Sequence, residues 1–110
     1  MGERTANVHD GDLGATMTAL RDIIHDRAVN GAEGSYTVTL LQANEDKVLK
    51  KVMEEAGEVA LAVKDDDHDH IRYEMADLLY HLLVACEKFG ITTEELAGEL
   101  DARMPGAKGH

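Results

Sequence analysis

Carboxylates at helical spacing are the residues of this chain best suited to chemistry. Glu54, Glu55 and Glu58 fall within about one turn of each other, and Glu74, Asp77 and His81 follow at i, i+3 and i+7. On an α-helix the second spacing sets all three side chains on one narrow edge. The rest of that circumference is apolar. Ile71, Met75, Leu78, Leu82, Ala85 and Phe89 make one stripe, Leu79, Leu83 and Cys86 widen it, and Ala76 and Tyr80 lie beyond. An ionised carboxylate at the margin of buried surface is costly unless a cation pairs with it. Across an antiparallel helix pair, Glu55 and Glu58 can face Glu74 and Asp77. Four such carboxylates offer hard oxygen ligands to magnesium or manganese, with positions left for water and phosphate oxygens. The ordinary reading of the same glutamates is a solvated face paired with Lys50, Lys51 and nearby lysines. His81 alone reads as a satisfied core histidine, and the acidic stretch 65–70 as a solvated turn.

Periodicity and end signals supply the elements that must position these groups. Leu13, Met17, Leu20, Ile24 and Ala28 predict a helix over 13–28, ended by Asn30, Gly31 and Gly34. Residues 35–41 read as extended through Tyr36, Val38 and Leu40. A second helix begins at Asn44, a good N-cap, with Glu45 and Asp46 placed against the dipole, and runs to about Lys64. Its apolar arc is Val48, Leu49, Val52, Met53, Ala56, Val59, Ala60 and Val63, with Glu55 at the edge and Lys47 and Lys51 on the acidic flank. A third helix spans about 69–89 and stops at Gly90. The fourth opens with a capping box, Thr92 to Glu95, and is stopped by Pro105. The expectation is an all-α, four-helix domain over 13–104, between a loose arm at 1–12 and a frayed tail at 105–110.

Composition narrows the partners. The chain has 110 residues, 22 acidic against 11 basic, and a formal net charge of −11. Such a surface repels nucleic acid and anionic membrane. An anionic ligand would need its charge neutralised, and a divalent cation held by carboxylates does that. Cys86 is the single cysteine. It fits a reduced thiol in a cytoplasmic protein and excludes an intramolecular disulfide or a multi-cysteine zinc site. Neither a secretory leader nor an apolar run of membrane-spanning length is visible. The third helix has more apolar surface than a small domain can cover. Its long stripe is expected to pack on the second helix, leaving Leu79 and Leu83 in or near the interface of a two-fold homodimer.

Glu54, Glu55 and Glu58, followed on the next helix by Glu74 and Asp77, resemble the signature of the all-α, MazG-like nucleotide pyrophosphohydrolases. Ser35, Tyr36 and Thr37 with Leu40 and Leu41, then Lys50 and Lys51, and the run from Ala76 through Asp77, Tyr80 and His81 to Leu83, are most similar to the phosphoribosyl-ATP pyrophosphohydrolases of histidine biosynthesis. The resemblance covers roughly 13–103; Asn44 stands where a glycine is expected. It implies magnesium-dependent hydrolysis of phosphoribosyl-ATP to phosphoribosyl-AMP and pyrophosphate, and a dimeric assembly. Carried onto this chain, it makes Glu55, Glu58, Glu74 and Asp77 metal ligands and Glu54 the residue that orients water or accepts its proton. Lys47 and Lys51 would contact phosphate oxygens. Ser35, Tyr36, Thr37 and His81 would complete substrate binding. Two other readings stand beside it: a housecleaning nucleoside triphosphate pyrophosphohydrolase using the same metal site, and a non-catalytic helical interaction module.

Overall fold

Five side chains open the five helices found among the described residues. The structure, a computed structural model, describes residues 8–106; the expectations for 1–7 and 107–110 fall outside the described residues. The helices are α1 (Leu13–Asn30), α2 (Tyr36–Gln42), α3 (Glu45–Lys64), α4 (His68–Phe89) and α5 (Thr93–Arg103), and no strand occurs among the described residues. Asp12, Ser35, Asn44, Asp67 and Thr92 each accept a backbone N–H of the first turn that follows. These bonds satisfy donors that a helix start otherwise leaves open. Thr92 and Glu95 form the reciprocal capping box. Gly31 and Gly90 terminate α1 and α4 at φ of 70° and 76°, a region costly for residues with a Cβ.

The expected all-α class therefore stands, but with five helices instead of four. The segment read as extended is α2. The alternation of Tyr36, Val38 and Leu40 suggested a strand, yet the same stretch carries a helical face. Leu40 is fully buried while Thr37, Val38 and Leu41 are half-buried, at spacings of i, i+1, i+3 and i+4. Tertiary packing of that face overrides the β preference of Thr37, Val38 and Thr39.

α3 and α4 form the most extensively packed pair, an antiparallel hairpin joined by the short turn at 65–67. Asp66, at φ 56°, takes the left-handed turn conformation that aspartate tolerates better than most residues. Positions equidistant from Asp66 stand level in such a hairpin: Val48 with Val84, Lys51 with His81, Glu55 with Asp77, and Glu58 with Glu74. Val48 and Val84 join Ile24, Leu40 and Leu83 in the core, against which Met17, Leu20, Leu41, Tyr80 and Ala85 pack. α1 and α2 cover one side of the hairpin. α5 buries no residue, and Arg21 ties its start to α1 through bonds of 2.7 Å to Thr93 and 2.8 Å to Glu94.

The helical faces are rotated from the expectation. Leu83, placed near a dimer interface by sequence, is only 4% exposed and belongs to the protomer core. Met75, Leu82 and Phe89, expected inside, are exposed. The cause is the polar edge of α4: Glu74 and His81 are buried with Leu83 and Val84, so Met75, Leu82 and Phe89 are left outward while Ile71, Leu78 and Ala85 of the same stripe stay half-buried.

Leu40 joins α2 to the core, so Leu40→Ala should lower the unfolding free energy by about 2–5 kcal/mol. Leu61→Ala, at a position 62% exposed, should change it by about 0.5 kcal/mol or less. Urea denaturation of both variants checks the difference.

Candidate metal centre

The α3–α4 hairpin brings carboxylates together where apolar contacts would ordinarily be found. Glu55 on α3 is 1% exposed and Glu74 on α4 is 0% exposed. Asp77 stands level with Glu55 in the hairpin. One ligand-capable atom from each of Glu55, Asp77 and His81 lies within 4.8 Å of the others. Three buried carboxylate oxygens, Glu55 Oε1, Glu74 Oε1 and Asp77 Oδ2, find no hydrogen-bond partner among the described residues. Buried oxygens of this kind are rare in native proteins, and each invites an explanation such as a bound ion or water. Carboxylate donors gathered between two helices fit a hard divalent cation.

The two nitrogens of His81 are already engaged. Nδ1 lies 2.8 Å from the Asp77 carbonyl oxygen, which can only accept, so Nδ1 carries the proton. Nε2 then accepts from the Tyr36 hydroxyl at 3.0 Å. His81 therefore acts here as a bracket between α2 and the Asp77 backbone, and the oxygens left for a cation are those of carboxylates. Nδ1 also stands 3.5 Å from Asp77 Oδ1, which steadies that carboxylate.

The other candidate residues divide clearly. Lys51 reaches Glu55 at 3.4 Å and Glu54 at 3.7 Å, bridging the buried carboxylate and its exposed neighbour. Glu54 is exposed, and Lys47, one turn before Lys51, is exposed as well. Glu58 is half-buried one turn beyond Glu55, level with Glu74 and outside the convergent group. Ser35 caps α2 through its hydroxyl, which accepts from the Val38 N–H at 3.2 Å. Thr37 bonds to the Tyr80 hydroxyl. The Tyr36 and Tyr80 rings stack with centroids 6.3 Å apart, and Tyr80 meets the His81 ring edge-on at 4.9 Å.

Burial and neighbouring charge set the protonation of the centre. Burial pushes the Glu55 carboxyl above its ordinary range, the facing Asp77 adds to that, and Lys51 opposes both. Burial likewise raises the Tyr36 and Tyr80 phenols, which remain protonated donors at neutral pH. For Lys51, burial pulls the ammonium down but is outweighed by Tyr36, Glu55 and Glu54, and the net shift is upward. The lysine is a fixed cation.

The phosphoribosyl-ATP pyrophosphohydrolase family model matches residues 17–104, a span that contains the whole centre. The chain belongs to that family. Among its curated relatives, a phosphoribosyl-ATP pyrophosphatase of Methanococcoides burtonii is 43% identical over 96 residues, covering 86% of this chain and 96% of the relative. One from Pelotomaculum thermopropionicum is 45% identical over 84 residues, covering 76% and 86%. A histidine biosynthesis bifunctional protein of Caldanaerobacter subterraneus is 45% identical over 87 residues. That match takes in 79% of this chain and only 42% of the relative, so the chain spans less than half of such two-activity proteins.

Sequence reasoning missed the contacts that His70 and Tyr80 make in this family member's centre, and those of Lys88 outside it. His70 Nε2 lies 2.9 Å from Glu74 Oε2 and fixes one of that carboxylate's oxygens. Its signal was the i, i+4 spacing to Glu74, hidden because 65–70 read as a turn while α4 already begins at His68. Tyr80 was noted as apolar surface, and its hydroxyl bond to Thr37 depends on α2 being a helix. Lys88, seven residues after His81 on the same edge of α4, drew no attention at all.

Glu55 carries a pH dependence of known sign. Because its folded-state pKa is raised, the native state binds more protons than the unfolded chain between the two pKa values, and stability falls as pH rises through that window. With chelator present, melting temperature should decline as pH climbs from the ordinary glutamate range near about 4.3. The decline should be clearly shallower in Glu55→Gln, and thermal melts from pH 4 to 8 measure both.

Proposed function

We propose that this chain hydrolyses 1-(5-phosphoribosyl)-ATP to 1-(5-phosphoribosyl)-AMP and pyrophosphate, a step of L-histidine biosynthesis, with magnesium as the activating cation and manganese as a substitute. The observation that carries the reading is the trio of buried, unpartnered carboxylate oxygens on Glu55, Glu74 and Asp77. Membership of the phosphoribosyl-ATP pyrophosphohydrolase family supports the substrate. The catalytic domain is assigned to residues 13–104.

In this reading Glu55 and Asp77 hold the cation, with Glu74 and Glu58 one turn further toward the hairpin turn. When bound, a divalent cation supplies charge neutralisation and Lewis acidity at the phosphates of a highly anionic substrate. The chain's own groups do the rest. Lys51, held protonated beside Glu55, contacts a phosphate oxygen, and Lys47 lies on the same flank for a second contact. Glu54, exposed and paired among the described residues with Lys51, orients the attacking water and takes its proton. The new phosphorus–oxygen bond forms at the α–β linkage and pyrophosphate leaves. The first turn of α2 lines the substrate side. There Tyr36 and Thr37 hold His81 and Tyr80 in place, and Ser35 fixes the start of the turn.

The assembly is a homodimer. Leu49, Met53 and Val63 of α3 and Met75, Leu82 and Phe89 of α4 are all exposed, Met53 by 76%. At about 100° per residue, both sets point to the same side of the hairpin, opposite α1 and α2. Two hairpins facing each other make a four-helix core. Leu83 belongs to the protomer core and drops out of the expected interface, while the half-buried Leu79 remains available to it. No helix among the described residues is long and apolar enough to cross a membrane. The working compartment is the cytoplasm, and neither nucleic acid nor membrane is a partner of so acidic a surface.

Pyrophosphate release from phosphoribosyl-ATP should require magnesium and stop with a chelator. Glu55→Gln and Asp77→Asn should each lower kcat by about a hundredfold or more, with circular dichroism unchanged. Asp66→Asn should leave it within about twofold, since asparagine tolerates the same turn conformation. Equal losses at all three positions, or faster turnover of ordinary nucleoside triphosphates, would count against the reading. Light scattering should give twice the chain mass, and Met53→Asp should shift it toward monomer or aggregate.

A further inference from the structure

The polar edge of α4 does not end at His81. Lys88 continues it, two turns further along the helix. Its ammonium donates to the carbonyl oxygens of Leu41 and Ala43, at 2.7 Å in each case. Leu41 lies in the last turn of α2, and Ala43 is its C-cap. The carbonyls at a helix end have no partner within the helix, and a cation there also complements the helix dipole. Among the described residues Lys88 pairs with no carboxylate, although 22 acidic residues are present in the chain. The charge is committed to holding α2.

α2 has seven residues, too few to be stable alone. It is fixed on α4 at both ends. Its first turn bonds through Tyr36 to His81 and through Thr37 to Tyr80, and its last turn is gripped by Lys88. His81 Nδ1 in turn donates to the Asp77 carbonyl oxygen at 2.8 Å and stands 3.5 Å from Asp77 Oδ1, the contact through which the ring reaches the carboxylate. A continuous path therefore joins Lys88, the rigid body of α2, the Tyr36 hydroxyl, the His81 ring and Asp77.

We propose that Lys88 is a positioning residue: by clamping the C-terminal end of α2 it sets the Tyr36–His81 bond and through it the orientation of the Asp77 carboxylate. The proposal rests on the reaction assigned above for its kinetic consequences, but its structural core does not. A lysine that merely anchors a helix would affect melting temperature. A positioning lysine also changes the His81 ring and the turnover of folded enzyme.

The test compares the full-length protein with Lys88→Met and Lys88→Arg, using long-range proton–nitrogen NMR of the imidazoles and steady-state kinetics with phosphoribosyl-ATP and magnesium. In the unaltered protein His81 should show one tautomer, protonated at Nδ1. Lys88→Met should mix the tautomers and lower kcat about tenfold at a temperature where the variant is fully folded, less than the roughly hundredfold that a misplacement of about 1 Å at the reacting centre can cost. Lys88→Arg, which still donates to both carbonyls, should restore both readouts. If Lys88→Met does not fold, Lys88→Gln serves in its place: its amide is one bond shorter than the lysine side chain and loses the reach to both carbonyls, so the same two losses are expected. A folded variant with a single His81 tautomer and unchanged kcat would overturn the proposal. Absence of pyrophosphate release from the unaltered protein would count against the assigned reaction instead, and the imidazole spectra would then decide the role of Lys88 alone.

Discussion

Glu55 and Glu74 are buried between the two longest helices, with Asp77 beside them, and each keeps a carboxylate oxygen without a partner. Leaving one buried polar atom unsatisfied costs about 1–3 kcal/mol, and more when the group is charged. Three such atoms therefore represent several kcal/mol against a total stability of about 5–15 kcal/mol for a small domain. The Lys51 ion pair offsets only part of that, since its ammonium is partly exposed. Leucine or alanine at these positions would make a more stable hairpin. A cation between the helices turns the same oxygens from a liability into ligands, and the rest of the fold reads as provision for keeping them in place.

That provision comes from several directions. Hairpin register sets Glu55 level with Asp77, and the turn at Asp66 fixes the register. Val48 and Val84 close the hairpin beyond the Lys51 and His81 level, so the polar centre is bounded by a packed apolar layer. α2 lies across α4, and its tyrosine and threonine hydroxyls satisfy His81 and Tyr80 without using a carboxylate oxygen. His70 plays a similar part for Glu74, fixing one oxygen and leaving the other open. The apolar face created when the carboxylate edge turned inward is the surface on which the dimer is proposed. The buried acids and the exposed stripe of Met75, Leu82 and Phe89 are two results of one helix rotation.

Much of this was legible in the chain itself. Helix starts followed from Asn44, Thr92 and Glu95 because capping is local chemistry. The carboxylate edge followed from i, i+3 and i+7 spacing because helix geometry is regular. Three things were not legible. Residues 36–42 open with four consecutive aromatic or β-branched residues, Tyr36 to Thr39, and only contact with α1, α3 and α4 selects the helix. The rotation of α4 was missed because apolar count alone pointed the long stripe inward. Sequence periodicity gives the angle between faces but not which face meets the neighbour. Lys88 was invisible for a related reason. Its partners are backbone carbonyls distant in sequence, and backbone acceptors leave no mark in side-chain patterns.

The central claim is that the carboxylates of α3 and α4 are arranged around a divalent cation, and it can be measured without any substrate. Thermal unfolding is recorded in chelator and then with increasing manganese or magnesium. Binding to the native state alone stabilises by RT ln(1 + [L]/Kd), about 2.7 kcal/mol at a hundredfold excess over Kd. The account predicts a saturable rise in Tm of several degrees that is absent in Glu55→Gln. A Tm unmoved by either cation up to tens of millimolar, or one that rises equally in Glu55→Gln, would contradict it.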